Sequence, residues 1–583
     1  MLYPQANESR HLICLDGLWR FLRDPENSGP ARLWHETLPH DAGKMPVPSS
    51  INELETDKSP STYCGVMWYE TETWIPAGWH ERRIRLRVGA AAHRQTAYCN
   101  GAECGSHQGG FLPFDVDLTS AVHCGAWNRI TLRIDSSLNW NSLPPGVAES
   151  TGEMPAYQRH HQRYFHDFYN FSGIHRSVYL YSTEMAAIEQ ISTHPVRVEG
   201  NPALTYSIQS TDASPAVQVT LRDDDEKAVA QKTGAQGCLV VPDGHLWSPQ
   251  NPYLYTLEVQ HPSGDRYRLR TGIRFVEISG KQLLLNGNPV YLRGFGKHED
   301  SDIIGKAHSD AVMVKDFSLL DWIGANSFRT SHYPYAEEVL DYADEQGVLV
   351  IGELPAVGFN FSPRDSPFFA PGKIDDSTRR HHLATLEEML ARDAHHPSII
   401  SWSLTNEPAS QEEASRSYFE PIVQRARELD TTRPLMFVMS AFPQNDHIGD
   451  LVDWIGVNRY YGWYHDCGDL ESIVPNLTAE LRAWWNRYGK PIVMTEYGAD
   501  AIAGLHRHPP AMFSEEFQCD YLNRVHQVLD SLDFIVGEHV WNFADFATAE
   551  GLKRIGGNCK GIFTRQRQPK MAAHFLRKRW KGV

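Results

Sequence analysis

A chain of 583 residues has room for two to four domains, and 41% hydrophobic against 22% charged residues is the balance of a folded globular protein. With 55 basic and 72 acidic side chains the net charge is −17, which argues against a nucleic-acid or anionic-membrane partner, and no apolar run reaches the ~18 residues of a membrane span. The nine cysteines (14, 64, 99, 104, 124, 238, 467, 519 and 559) form no CxxC pair and no zinc spacing with histidine, and the opening MLYPQANESRHLICLDGLWRF lacks a basic segment followed by an apolar core, so reduced thiols and a cytoplasmic location are expected.

Residues 1–183 read as strands separated by Gly, Pro and Asn turns: GLWRF, GVMWYETETWIP, ERRIRLRVGAA, RITLRIDSSL and RSVYLYS. This pattern predicts a β-sandwich. Residues 184–275 (ISTHPVRVEG, ALTYSIQST, AVQVTLRDDDEKAV, YLYTLEVQH) have the size and strand spacing of an immunoglobulin-like sandwich, with DDDE at 223–226 as a solvated turn rather than a metal site. From 276 to 583 strands alternate with amphipathic helices. Strands are predicted at 290–296, 326–331, 348–353, 398–404, 434–440, 454–459, 491–496 and 534–541, with helical patterns such as DAVMVKDFSLLDWIG, AEEVLDYADEQG, LATLEEMLARDAHH, LTAELRAWWNRYG and KMAAHFLRKRW between or after them. The grammar is that of a (β/α)8 barrel. A doubly wound sheet is the alternative, and its Gly-rich phosphate turn has no counterpart here.

A barrel collects chemistry at the carboxyl ends of its strands. Those ends carry His298, Glu299 and Asp300, then Ser331 and His332, Glu353, Asn406 and Glu407, Asn458 and Tyr460, Glu496, and Trp541. Neither GxSxG nor HExxH occurs, so serine acyl transfer and zinc proteolysis lose support. Two carboxylates with amides and aromatics suit sugar cleavage: one acid protonates the leaving oxygen, one nucleophile attacks the anomeric carbon, and donors hold hydroxyls. Glu407 and Glu496 end the fourth and seventh strands, which face each other across a closed barrel, where the ~5–5.5 Å separation of a retaining pair is attainable.

GANSFRTSHYPYAEEVLDYADEQGVLVIGELPAVGF (324–359), SWSLTNEP (401–408), VNRYYGWY (457–464), VMTEYGADAIAGLH (493–506) and GEHVWNFADFATAEG (537–551) together resemble the β-glucuronidases of glycoside hydrolase family 2. The likeness covers nearly the whole chain, from GLWRF to GGNCKGIFTRQRQPK. It implies a jelly-roll-like sugar-binding domain (1–183), an immunoglobulin-like sandwich (184–275) and a catalytic barrel (276–583). By position, Glu407 would be the general acid/base, Glu496 the nucleophile, Asn406 the partner of the sugar 2-hydroxyl, and Tyr460 the residue beside the nucleophile. His332, Asn458, Tyr464 and Trp541 match sugar-lining positions, and Asp167 in HDFYNFSG matches an acidic residue lent by the N-terminal domain.

RIGGNCKG (554–561) bears on the substrate. By composition it is a Gly-rich turn with a solvated lysine. The resemblance implies instead that Arg554, Asn558 and Lys560 grip the C6 carboxylate of glucuronic acid, each charge-assisted bond contributing ~1.5–3 kcal/mol. Two departures stand out: Gly352 where relatives commonly carry Asp, and Cys559 inside the Asn-x-Lys motif. Segment 360–382 is a Pro-rich insertion after the third strand, of the kind that covers active sites.

The implied activity is a retaining exo-β-glucuronidase without metal or other cofactor, acting on small-molecule or oligosaccharide glucuronides and assembled as a tetramer or dimer. Competing readings are a β-galacturonidase or other family 2 β-glycosidase, a non-catalytic carbohydrate-binding protein, and a metal hydrolase built on His298, Glu299 and Asp300.

Overall fold

The computed structural model describes residues 2–57, 62–151, 159–360 and 365–582. In the N-terminal unit a five-stranded and a six-stranded antiparallel sheet enclose one core that includes Trp19, Tyr69, Leu86, Leu132 and Leu180. Alternation makes this sandwich: along Ala126–Asp135, Ile130, Leu132 and Ile134 join the core while Arg129 and Arg133 lie partly exposed between them. The second unit packs a three-stranded on a four-stranded sheet around Leu204, Tyr206, Leu221, Leu257 and Val259. DDDE forms the turn between strands Gln218–Arg222 and Ala228–Thr233.

The barrel strands are β1 Leu292–Lys297, β2 Ser327–Thr330, β3 Leu349–Glu353, β4 Ile399–Asn406, β5 Leu435–Met439, β6 Trp454–Asn458, β7 Ile492–Glu496 and β8 Ile535–Val540. All neighbours run parallel, and β8 closes on β1. Each strand is apolar on both sides because alternate residues serve two cores. Leu292, Ile351, Ile400, Met436, Trp454 and Val493 fill the barrel floor, while Val350, Ile399, Leu435, Phe437 and Ile455 face the surrounding helices. Trp247, Leu283 and Leu285 pack on the floor cluster.

The helices are α1 Asp310–Ile323, α2 Glu337–Gln346, α3 Asp376–Asp393, α4 Ala414–Leu429, α5 Ile473–Tyr488, α6 Glu515–Asp530 and α7 Met571–Lys581. The expected eight-fold alternation is broken once: between β5 and β6 the chain makes only 3-10 turns at Pro443–Asn445 and Gly449–Leu451. The connecting AFPQNDHIGD offers turn residues and too short an apolar pattern for a helix. None of the described helices is long and apolar enough to cross a membrane.

Two junctions position the barrel mouth. The N-terminal unit sends residues 165–171 over it, where Phe168 packs against His298, His332 and Tyr333 and Tyr169 N–H bonds the Ala547 carbonyl at 2.9 Å. Of the insertion 360–382, residues 361–364 lie outside the described set; its Asp365 takes a bidentate pair from Arg163 of the N-terminal unit (2.9 and 3.2 Å), and α3 begins within it, capped by Asp375.

Candidate active site

Asn406 closes β4, and at Glu407 the backbone turns left-handed (φ 49°), its N–H held by the Val438 carbonyl at 2.8 Å. A non-glycine residue in that region stores strain that the surrounding structure must hold in place, here to aim a carboxyl across the mouth. The Glu407 carboxyl accepts from Asn458 Nδ2 at 2.8 Å, and the same amide reaches Asn406 Oδ1 at 3.2 Å. Thr495 Oγ1 donates to Asn458 Oδ1 at 2.8 Å, which fixes the amide so that its NH2 faces Glu407.

Glu496 closes β7. It accepts from Tyr460 Oη at 2.7 Å and from Arg329 Nη2 at 2.5 Å. Arg329 lies on β2 with no solvent exposure and also donates to both oxygens of Glu353 at 2.8 Å. His332 Nδ1 sits 2.7 Å from Glu353, and its ring stacks on Trp541 with centroids 5.1 Å apart. Gly498 lets the β7 end reach Trp541, because a Cβ there would stand 2.1 Å from the Trp541 carbonyl oxygen.

Burial pushes both facing carboxyls up; at Glu496 the charge of Glu407 adds to the rise, and Arg329 and Tyr460 oppose it. The two interact, so they titrate as a pair. With one negative charge between them, that charge lies on Glu496, which accepts from a guanidinium and a phenol, while Glu407, touched by a neutral amide, keeps the proton. Arg329 serves two carboxylates, and against the effect of burial it and His332 hold Glu353 below its ordinary range. Burial lowers His332, so its imidazole is neutral; Nδ1–H goes to Glu353 and Nε2 remains an acceptor.

A polar cluster adjoins this pair. Arg554 forms a bidentate pair with Asp167 (2.8 and 2.7 Å) and donates to Tyr464 Oη at 2.7 Å. Asn558 Nδ2 donates to Asp167 at 2.8 Å. Lys560 Nζ donates to Tyr464 Oη at 2.9 Å and is ion-paired with Asp500, whose second oxygen accepts the Cys559 N–H at 2.8 Å. Gly557 (φ 118°) lets the loop press against Phe546, whose carbonyl would lie 2.5 Å from an added Cβ.

The residues singled out from sequence therefore form one contiguous network: Glu407, Asn458, Asn406, Glu496 and Tyr460; His332 and Trp541; Tyr464, Arg554, Asn558, Lys560 and Asp167. Three details differ from expectation. Lys560 is fully buried rather than a solvated loop residue, because Asp500 and the rings of Tyr464 and Trp463 surround its ammonium. Asp167 sits on the donors Arg554 and Asn558. Asn458, expected to line the sugar, is bonded to the Glu407 carboxyl. His298, Glu299 and Asp300 do not converge: they engage Tyr333, Arg176 and Arg565 respectively.

Arg329, Asp500 and Thr495 escaped the sequence reading, as did a role for Glu353. The signal was present for Arg329: a cation inside the buried strand SFRT must find carboxylates. Asp500, four residues beyond Glu496, gives no such sign, since its partner comes from a segment sixty positions away.

Three family profiles match: "Glycosyl hydrolases family 2, sugar binding domain" over residues 12–184, "Glycosyl hydrolases family 2" over 187–274, and "Glycosyl hydrolases family 2, TIM barrel domain" over 276–583. A β-glucuronidase of Paenibacillus borealis is 46% identical over 587 residues, covering 100% of this chain and 98% of its own length. One of Rattus norvegicus is 41% identical, with 100% and 92% covered. Among solved structures, a β-glucuronidase of an uncultured Clostridium sp. superposes with TM-score 0.95 at 43% identity over 100% of both chains. A Ruminococcus gnavus β-glucuronidase in complex with C6-substituted uronic isofagomine gives 0.94 at 40% identity, covering 99% of each chain.

Proposed function

The chain belongs to glycoside hydrolase family 2, and on that premise we propose that it hydrolyses β-D-glucuronides to glucuronic acid and an alcohol or phenol, with retention at the anomeric carbon. The observation that carries the assignment of roles is the asymmetric environment of the facing carboxyls, one against Arg329 and Tyr460 and so held ionised, the other against the neutral Asn458 amide and so left with its proton; retention follows from membership of the family. Glu496 attacks the anomeric carbon while Glu407 gives its proton to the departing glycosidic oxygen. The C–O bond to the aglycone breaks and a glycosyl ester of Glu496 forms. Glu407, now ionised, takes a proton from water as that water attacks the ester carbon, which restores both carboxyls and releases β-glucuronic acid.

The choice of a uronic acid rests on Arg554, Asn558 and Lys560, three donors on one short loop next to the catalytic pair. Asp167 accepts from two of them, Arg554 and Asn558, so these donors are already oriented for an anion such as a C6 carboxylate, and Asp167 can turn to sugar hydroxyls. The test is turnover of p-nitrophenyl β-D-glucuronide against the β-D-galacturonide and β-D-glucoside, with proton NMR of early product. β-Glucuronic acid should appear first. An α-anomer first would mean inversion, and preference for the galacturonide would overturn the sugar assignment.

Lys560→Gln keeps an amide donor in place of the ammonium. The expected result is a loss of roughly 30- to 1000-fold in kcat/KM on the glucuronide, with glucoside hydrolysis nearly unchanged. Because Lys560 is ion-paired and buried, Asp500 loses its counter-charge and the melting temperature should also fall. The double variant Lys560→Gln/Asp500→Asn should recover the melting temperature but not the selectivity. Equal slowing of both substrates would make the loop a structural element only.

We further infer a homo-oligomer, tetramer or dimer, to be measured by sedimentation, and a cytoplasmic location, which the nine free thiols support.

A further inference from the structure

Lys570 lies outside the network around the two carboxyls, immediately before α7, and its side chain has no solvent exposure. An ammonium has three N–H donors, and here each finds an acceptor on a different segment: the Ala501 carbonyl at 2.8 Å, the Cys559 carbonyl at 2.9 Å and Asp545 Oδ1 at 2.8 Å. We propose that Lys570 is a positioning residue for uronic-acid selectivity: it clamps the loop after β7 to the RIGGNCKG loop and so sets where Asn558 and Lys560 meet a C6 carboxylate. The inference rests on the uronic-acid reading of that loop and adds to it a residue that does not itself touch the sugar.

Local helix chemistry does not account for a lysine at this position. Lys570 is the N-cap of α7, where acceptor side chains are favoured over a cation because the first-turn N–H groups are unpaired and the dipole there is positive. A lysine has no acceptor to offer them. The Met571 N–H is taken instead by a carboxyl oxygen of Glu515, from the first turn of α6. Lys570 therefore weakens the helix it starts, and its stabilising contacts are all with distant segments.

Asn558 and Lys560 stand on a stretch with little stiffness of its own, with Gly556 and Gly557 before it, both at positive φ, and Gly561 after it. Its geometry is imposed from outside. Cys559, between the two reading residues, is held at both backbone groups: its N–H by Asp500 Oδ1 at 2.8 Å, its carbonyl by the Ala501 N–H at 2.9 Å and by Lys570. The Lys570 ammonium thus binds the backbone beside each member of the Asp500 and Lys560 ion pair, since Ala501 follows Asp500 and Cys559 precedes Lys560. It fixes the spacing of the two chains that carry the pair. Gln518 of α6 repeats the link, its Nε2 donating to the Ala499 carbonyl at 3.0 Å and to the Lys560 carbonyl at 3.3 Å.

The charge of the ammonium matters as well as its three donors. Burial raises the Asp545 carboxyl, and Lys570 opposes that rise. A glutamine offers two N–H donors and a methionine none, so either leaves a buried acceptor unpaired and loosens the junction of the two loops. A displacement of about 1 Å in a group that positions substrate is enough to cost about 10²-fold in rate.

The experiment measures kcat/KM of the full chain on p-nitrophenyl β-D-glucuronide and β-D-glucoside, together with melting temperatures. Lys570→Gln should lose roughly 10-fold and Lys570→Met roughly 100-fold on the glucuronide, while the glucoside rate changes by less than about 3-fold. Lys570→Met/Asp545→Asn, which removes the carboxyl stranded by the first change, should regain melting temperature but not selectivity. Leu576→Ala, a buried position on α7, controls for destabilisation: it should lower the melting temperature and leave the ratio of the two rates at the wild-type value. A ratio in Lys570→Gln or in the double variant within about 3-fold of wild type would overturn the inference and leave the uronic-acid reading standing, as would a parallel fall of both rates. A wild type without preference for the glucuronide would overturn both.

Discussion

Replacing Glu496 by alanine is expected to lower kcat on an aryl β-glucuronide by roughly 10⁴-fold or more, while the protein stays folded. The reason lies in the proposed role of Glu496 as nucleophile: Arg329 and Tyr460 both donate to it, which favours its ionised form. Glu353 is tied to Arg329, His332 and Ser403, and Glu407 faces from the opposite side. The fold should survive because Arg329 retains its pair with Glu353. The local cost is a Tyr460 hydroxyl left without its acceptor, about 1–3 kcal/mol. Steady-state kinetics on purified, cooperatively melting protein would check this, and near-wild-type turnover would move the nucleophile elsewhere.

Replacing Glu407 by alanine is expected to cost ~10²–10⁴-fold when the leaving group needs a proton, and much less for an activated aryl glycoside whose departure does not. Azide should then accelerate the variant by attacking the glycosyl ester in place of activated water, giving a β-glucuronyl azide. The pH profile supplies an independent sign. Burial raises the Glu407 carboxyl, so its working form is the protonated one; wild-type kcat/KM should decline on the alkaline side as that proton is lost. On the acid side it should decline as Glu496 gains a proton and ceases to be a nucleophile. Glu407→Ala should lose the alkaline limb and keep the acid one. A variant that retains both limbs would place the acid elsewhere.

Those two carboxylates were legible in the sequence because each stands at the end of a short, buried and mostly apolar strand, IISWSLTN before Glu407 and IVMTE ending at Glu496. The same holds for the barrel: the eight segments beginning VYLRGFG and ending FIVGEHVW lie within two residues of the strand bounds at every end. The difference reaches two residues at the start of β1 and at the end of β4. At β4 the apolar text stops at Leu404, yet pairing continues to Asn406 through a register shift against β5, because Asn406 still pairs with Val438 and its N–H finds the Ala356 carbonyl. The β5 to β6 crossover shows the opposite failure, where alternation suggested a unit and turn residues made none.

What the sequence by itself determined is the set of elements and the residues at their ends, because hydrophobic period and turn chemistry are local and leave a mark every few positions. Only the tertiary structure decided charge states and pairings. Arg329 bridges Glu353 and Glu496, Asp500 neutralises Lys560, and Asp167 crosses from another unit to hold Arg554, all through contacts between segments with no sequence proximity. A buried charge must be matched within a few ångströms, and which group supplies the match depends on how the strands close into a ring and how the sandwich leans over it.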